Sequence, residues 1–195
     1  MNKQKSDTHE KILLACAKVL RKQGIKSATV AKVMHEAGMT VGGFYAHFDS
    51  KEAMVAEGFR RALRDSNLEL TATARGEAEK GRRLRAYAKG YLAPAHRDQD
   101  LHGRGCAVAS LAADMGKAGP ALRKTFAEEC QHLIFENTAA LSDAEARLSR
   151  KEYLGALATL AGALILARAT RGSPISDEIL EAGLARMGAG RAESA

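Results

Sequence analysis

Six histidines and three cysteines are the side chains with which this 195-residue sequence could hold a metal or attack a substrate. Their spacing argues against both. There is no His-Glu-x-x-His, no nucleophile elbow, and no glycine-rich phosphate cradle following a strand. Cys16, Cys106 and Cys130 lie far apart with no C-x-x-C pair, the usage of reduced thiols in a cytosol. The expectation is no catalytic residue, no metal, no cofactor and no enzyme activity. What remains is recognition chemistry. It is concentrated between Thr29 and Glu52, where hydroxyls, three aromatic rings, two histidines, two lysines and two adjacent glycines fall within a few turns.

The charge points the same way. Of the net +7, residues 1–64 hold 12 Lys/Arg against 6 Asp/Glu, whereas residues 65–195 hold 18 against 17. A compact basic third is the electrostatic footprint of a nucleic-acid-binding module. A merely basic surface is the other reading of charge alone. Hydrophobic residues make up 46% of the chain, ordinary for a globular protein with a sizeable core. The opening Met-Asn-Lys-Gln-Lys-Ser-Asp is polar, which argues against a secretory leader and for a cytoplasmic protein. The longest apolar stretch, Leu154 to Ala167, is shorter than the ~18 residues of a membrane span and reads as an interface helix, with no membrane partner.

The elements that must position these residues read as helices throughout. Asp7-Thr-His-Glu10 has the form of a capping box, and Ile12, Cys16, Val19 and Leu20 follow helical spacing as far as Gly24. Thr29 caps a second helix with Val30, Val33, Met34 and Ala37 on its apolar face. Gly38 ends it. Thr40 caps a third, with Val41, Phe44, Tyr45 and Phe48 at the same spacing. Two short amphipathic helices across a glycine turn form a helix-turn-helix pattern. Asp49-Ser-Lys-Glu52 is a second capping box, opening a fourth helix that extends toward Thr73. A break follows at 76–81, a helix over 82–95 and a polar loop over 96–105. Further helices are expected at 106–117, 120–141, 149–171 and 176–187. The division is a helix-turn-helix domain at 1–50, a larger helical domain at 51–187 and a flexible tail at 188–195.

The second helix of such a motif enters the major groove with its N-terminal residues at base edges. Those residues are Thr40, Val41, Gly42 and Gly43. A glycine inside a helix costs about 0.8–1 kcal/mol relative to alanine, so two in succession suggest close approach of backbone to DNA; the alternative is a frayed helix. Val41 suits a thymine methyl. Lys32 reads either as a contact from the second helix or as a solvated residue. Thr29 and Thr40 hydroxyls suit phosphate oxygens, and Lys51 stands where helix N–H groups and a cation can hold one phosphate.

The string Ala37-Gly-Met-Thr-Val-Gly-Gly-Phe-Tyr-Ala-His-Phe-Asp-Ser-Lys-Glu52 closely resembles the DNA-binding motif of the TetR family of transcription regulators, above all in Phe-Tyr-x-His-Phe at 44–48 and Ser-Lys-Glu at 50–52. Val33-Met34 departs mildly, where the family often has a branched residue and alanine. The resemblance spans about residues 7–63. It implies an all-α fold, with an N-terminal three-helix helix-turn-helix domain and a larger helical ligand-binding and dimerisation domain. It also implies a homodimer on operator DNA, released by a small-molecule effector. It makes Tyr45 and His47 phosphate contacts, against the alternatives of core and plain surface. It places a dimer interface on the last two helices, through Tyr153, Leu157, Leu160, Leu164, Ile165 and Arg168, with Gly155, Ala158, Gly162 and Ala163 allowing close approach. Tyr87, Tyr91, Cys106, Met115, Phe126, Cys130 and Phe135 are candidates for an effector pocket, or simply core. His132 and Leu133 join them. Cys106, at a helix start beside Arg104, is a candidate electrophile sensor. A protein of the same fold with an architectural, effector-free role on DNA is the alternative.

Overall fold

The computed structural model describes residues 3–76, 83–142 and 147–189, all in helices and turns, with no strand among them. The helices are α1 (Lys3–Ser27), α2 (Val30–Glu36), α3 (Lys51–Gly76), α4 (Arg83–Tyr91), α5 (Pro94–Asp98), α6 (Ala107–Gly116), α7 (Pro120–Ala140), α8 (Arg150–Ala169) and α9 (Ile175–Ala189). Two 3-10 turns, Val41–Ala46 and Gln99–His102, complete the order. The chain divides into two compact units, one of residues 1–66 and 100–129, the other of 67–99 and 130–195.

Several sequence expectations are corrected at helix ends. α1 begins at Lys3, so Asp7 and Glu10 lie inside it rather than capping it, and Glu10 pairs instead with Arg61. Gly24 does interrupt the helix, at φ +77, but helical backbone resumes to Ser27. The second box is shifted by one residue: Ser50, not Asp49, caps α3, its Oγ accepting the Ala53 N–H at 3.0 Å. Pro94 opens a helix instead of ending one, and 96–105 is mostly helical rather than loop. The sequence missed a complete capping box at Ser149–Glu152, which starts α8. The expected break at 76–81 falls largely on residues outside those described, and so does most of the expected tail.

In the first unit the core is Ile12, Cys16, Leu20, Met34, Phe44, Met54 and Phe59. Gly58 lets α3 lie directly on Cys16, where a Cβ would stand 2.5 Å from the sulfur and 2.9 Å from its Cβ. Burial pushes the Cys16 thiol up to about 12, so it behaves as a small apolar residue. α6 is tied to α1 by polar links as well as packing. Asp114 accepts the Ile25 N–H at 2.9 Å, at the Gly24 interruption. The Arg21 side chain, 7% exposed, donates to the carbonyls of Ala62 and Gly103, both at 2.9 Å. Burial lowers its pKa, and Asp65 and then Cys106 oppose that shift.

In the second unit α8 and α9 form a hairpin through Gly172 at φ +89. Gly183 brings α9 close to α8, where a Cβ would lie 2.9 Å from that of Ala163. Arg97 binds Asp98 and Asp177, and Arg171 joins through Asp98 at 2.9 Å. These hydrogen bonds, first of all the one from Arg97, hold the Asp98 carboxyl below its ordinary range. α8 is long and apolar enough to cross a membrane by length and composition, yet only 28% of its most apolar window is buried within the chain.

Candidate nucleic-acid interface

The N-terminal motif is built from α2, a glycine turn and the Val41–Ala46 segment. Thr29 caps α2, its Oγ1 accepting the Lys32 N–H at 3.3 Å. Gly38, at φ +70, closes α2: its own N–H reaches His35 O at 3.0 Å and the Met39 N–H reaches Met34 O at 2.8 Å. This is a Schellman cap, which needs a residue comfortable in left-handed backbone. The chain is thereby turned sharply into Thr40.

The recognition segment itself is a 3-10 helix rather than the expected α-helix. Two consecutive glycines weaken the longer-range α pattern, and a short 3-10 turn needs fewer residues fixed per bond. Thr40 takes the N-cap backbone but makes no capping bond through its side chain. Of the four apolar positions read from the sequence, Phe44 and Phe48 are buried and stack with centroids 5.7 Å apart. Val41 and Tyr45 point outward, 48% and 75% exposed. Tyr45 is therefore not core.

The nine residues singled out for DNA are all accessible. Thr29, Lys32, Thr40, Val41, Gly42, Gly43 and Tyr45 are exposed, and His47 and Lys51 are half-buried. A Cβ at Gly42 would meet nothing within 4 Å, and one at Gly43 would meet only Met34 Cε, at an ordinary 3.8 Å. Neither glycine has positive φ. Nothing inside the unit requires a glycine at either position.

One group of residues around His47 was not legible in the sequence. His9, from α1, stacks on Phe48 at 4.6 Å and reaches Glu57 of α3 at 3.0 Å through Nε2. Its ring lies 6.1 Å from that of His47. His47 Nδ1 is sealed from solvent with no hydrogen-bond partner. Burial first, then His9 and Lys5, lower the His47 pKa. His9 and Glu57 are 48 positions apart, so no local pattern could have paired them.

The profile of the family described as "Bacterial regulatory proteins, tetR family" matches residues 12–57. This N-terminal segment therefore carries the tetR-family domain, and the match extends over that segment alone. The match covers α1 from Ile12 onward, α2, the recognition segment and the start of α3. Two curated relatives align over the same end. An uncharacterised HTH-type transcriptional regulator of Bacillus subtilis (strain 168), YvdT, is 38% identical over 55 residues, 28% of each chain. The HTH-type transcriptional repressor KstR2 of Rhodococcus jostii (strain RHA1) is 38% identical over 61 residues, 31% of this chain and 30% of its own. The aligned stretch is thus under a third of either relative. Beyond it the likeness is of fold: the reduced form of E. coli NemR superposes with a TM-score of 0.71 at 22% identity, covering 93% of this chain and 95% of that one.

Outside the matched stretch the remaining candidates scatter. Cys106 and Met115 are buried and Phe126 half-buried in the first unit, where Phe126 stacks on Phe59 at 5.3 Å. Tyr87 and Tyr91 are buried in the second unit, Cys130 is half-buried, and Phe135 is 74% exposed. Cys106 is the N-cap of α6 and 6% exposed. On α8, Tyr153, Leu160 and Leu164 are fully buried in the unit's own core. Leu157 is half-buried, Ile165 is 42% exposed, and Arg168 is half-buried, donating to Arg97 O at 3.1 Å. Leu154 and Leu166, 41% and 57% exposed, were not picked out from sequence. Nor were Asn67 and Asn137, whose buried Oδ1 atoms have no hydrogen-bond partner. Asn137 Nδ2 donates to the Tyr153 hydroxyl at 2.5 Å.

Proposed function

We propose that the protein is a homodimeric repressor that grips an operator through its N-terminal motif and lets go when a small molecule binds. The observation that carries this reading is the sorting of side chains along the recognition segment. Phe44 and Phe48 anchor it, while Thr40, Val41, Gly42, Gly43 and Tyr45 stand outward on the basic end of the chain. In this reading Val41 contacts base edges. The two glycines admit close backbone approach, and DNA shape supplies further specificity. Thr29, Thr40, Tyr45, His47 and Lys51 hold phosphates, and Lys32 reaches in from α2. Residues 1–50 act as the reading head, and 51–187 carry effector binding and dimerisation. Work on chromosomal DNA places the protein in the cytoplasm.

A dimer is supported by reach and by surface. One short recognition segment covers few base pairs, and a two-fold pair reads half-sites about 34–36 Å apart. α8 leaves Leu154, Ile165 and Leu166 exposed, and Ile175 of α9 is 48% exposed. A Cβ at Gly155 or Gly162 would meet nothing within 4 Å, so another helix has room to approach there. The pairing face is this outward stripe. Tyr153, Leu160 and Leu164 contribute from beneath it, by shaping α8.

For the effector, Tyr87, Tyr91, Cys130 and Phe135 remain candidates from the second unit, and Cys106, Met115 and Phe126 from the first. The unpartnered amide oxygens of Asn67 and Asn137 favour a neutral ligand that donates hydrogen bonds. Cys106 is the candidate for an electrophile-sensing thiol. Its place opening α6 near the Arg21 cation supports that role, and the likeness to a regulator crystallised in a named reduced form is in keeping with it. An alkylating agent should release wild-type protein from its operator and leave Cys106→Ser bound; equal release of both would remove Cys106 from the mechanism.

The decisive experiment is selection of genomic fragments by purified protein at near-physiological salt. A single strong palindrome near one or a few genes is the expected result. Many dispersed weak sites would favour an architectural role, and no enrichment would overturn the DNA-binding reading.

A further inference from the structure

We propose that His9, anchored on Glu57 and stacked on Phe48, forms with His47 a coupled pair of rings that resists carrying two positive charges, and that this pair makes the protein's hold on DNA depend on pH. The inference rests on the reading of His47 as a phosphate contact. It concerns what sets the charge of that contact.

The geometry has three parts. His9 is held from two sides, by the Glu57 carboxylate at 3.0 Å and by the Phe48 ring at 4.6 Å. It therefore cannot swing away from His47, whose ring centre lies 6.1 Å off. Second, His47 Nδ1 is enclosed with no partner, so the proton of the neutral ring belongs on Nε2. Third, His9 and Lys5 of α1 both act on His47 in the sense that disfavours its charged form, while the carboxylate of Glu57 on α3 is engaged by His9. Burial and these neighbours disfavour the charged form of His47 in the free protein.

A DNA phosphate beside Nε2 reverses that balance, because an anion favours the imidazolium. A proton refused in the free protein and accepted in the complex is a proton taken up on binding. By linkage, affinity then rises as pH falls, by at most about tenfold per pH unit for one proton. The effect belongs between about pH 5 and 8, where imidazoles titrate. His9 acts on DNA only through His47 and is a positioning residue.

The test has two arms on the full-length protein. In the first, NMR follows the titration of the His47 ring in wild type, His9→Gln and His9→Phe. The phenylalanine variant keeps a ring on Phe48 and guards against a misfolded glutamine variant. Both should let His47 titrate at higher pH than in wild type; an unchanged His47 titration would refute the coupling. In the second arm, binding to the selected DNA fragment is measured across the same range. Wild-type affinity should rise several-fold toward low pH, His47→Gln should flatten the profile, and His9→Phe should move it to higher pH. A flat wild-type profile, or an unchanged slope in His47→Gln, would overturn the pH-dependent grip. If no fragment binds at any pH while the ring titrations shift as expected, the coupled pair stands and the DNA-binding reading is what fails.

Discussion

Gly43 tests the recognition segment at the scale of one residue. Its φ is not positive and a Cβ there has room, so alanine should stabilise the fold, by about 0.5–1 kcal/mol. Tm should rise by roughly 2–4 °C per kcal/mol for a chain of this size. If the bare backbone serves to approach DNA, the same substitution should weaken operator binding. Calorimetry and binding measured on one preparation separate the two effects, and a more stable variant with unchanged affinity would assign no role to the missing side chain. Lys51 makes a complementary case. Lys51→Ala should weaken binding to all sequences alike and lower the salt slope by about 1. An altered base preference would move Lys51 from phosphate to base contact. Helical spacing placed these residues on one element. The reading of Val41 as a base contact and Tyr45 as a phosphate contact already set these two apart from Phe44 and Phe48, and their exposure against the burial of the phenylalanines agrees with that division.

At the scale of the element, the contact between α1 and α3 depends on Gly58. Gly58→Ala pushes a methyl group against Cys16, whose Sγ and Cβ are both within 3.0 Å of the new atom. Overpacking of this kind costs about 1–3 kcal/mol. The variant should melt several degrees lower, and Cys16→Ala beside it should restore part of the loss; additive losses would show that the two do not share the contact. From sequence, Gly58 is only a helix-interior glycine. That it faces a cysteine 42 positions earlier depends on how the two helices cross. Helix starts were more legible: Thr29 and the Pro120 start were placed correctly because caps act over three or four residues. The Asp7 box failed for the same local reason, since a capping pattern inside a longer helix looks identical to one at its end.

At the scale of the whole molecule, the proposed pairing face on α8 is the feature to test. Leu166→Glu places a charge on the exposed stripe and should leave the protomer folded, giving a monomer by light scattering with greatly weakened operator binding. Leu164→Glu, two positions earlier on a fully buried side chain, should instead unfold the second unit, because an unpaired charge would be buried. A Leu166→Glu dimer that still binds tightly would place the interface elsewhere. The sequence marked Leu154 to Ala167 as an apolar stretch and assigned Tyr153, Leu157, Leu160, Leu164, Ile165 and Arg168 to its pairing face. Only the packing distinguishes the residues that face the unit's own core from those left to face outward.

The sequence by itself determined the helical class, the order of most helices and the identity of the N-terminal motif. These follow from periodicity, capping chemistry and a long local string, all of which act within a few turns of chain. The tertiary structure alone decided that the recognition segment is a 3-10 turn with Tyr45 outward. It also decided that Arg21 is buried against two carbonyls, and that His9 joins Glu57 beside His47. The Arg21 and His9 contacts join residues tens of positions apart, and no spacing rule along the chain carries that information.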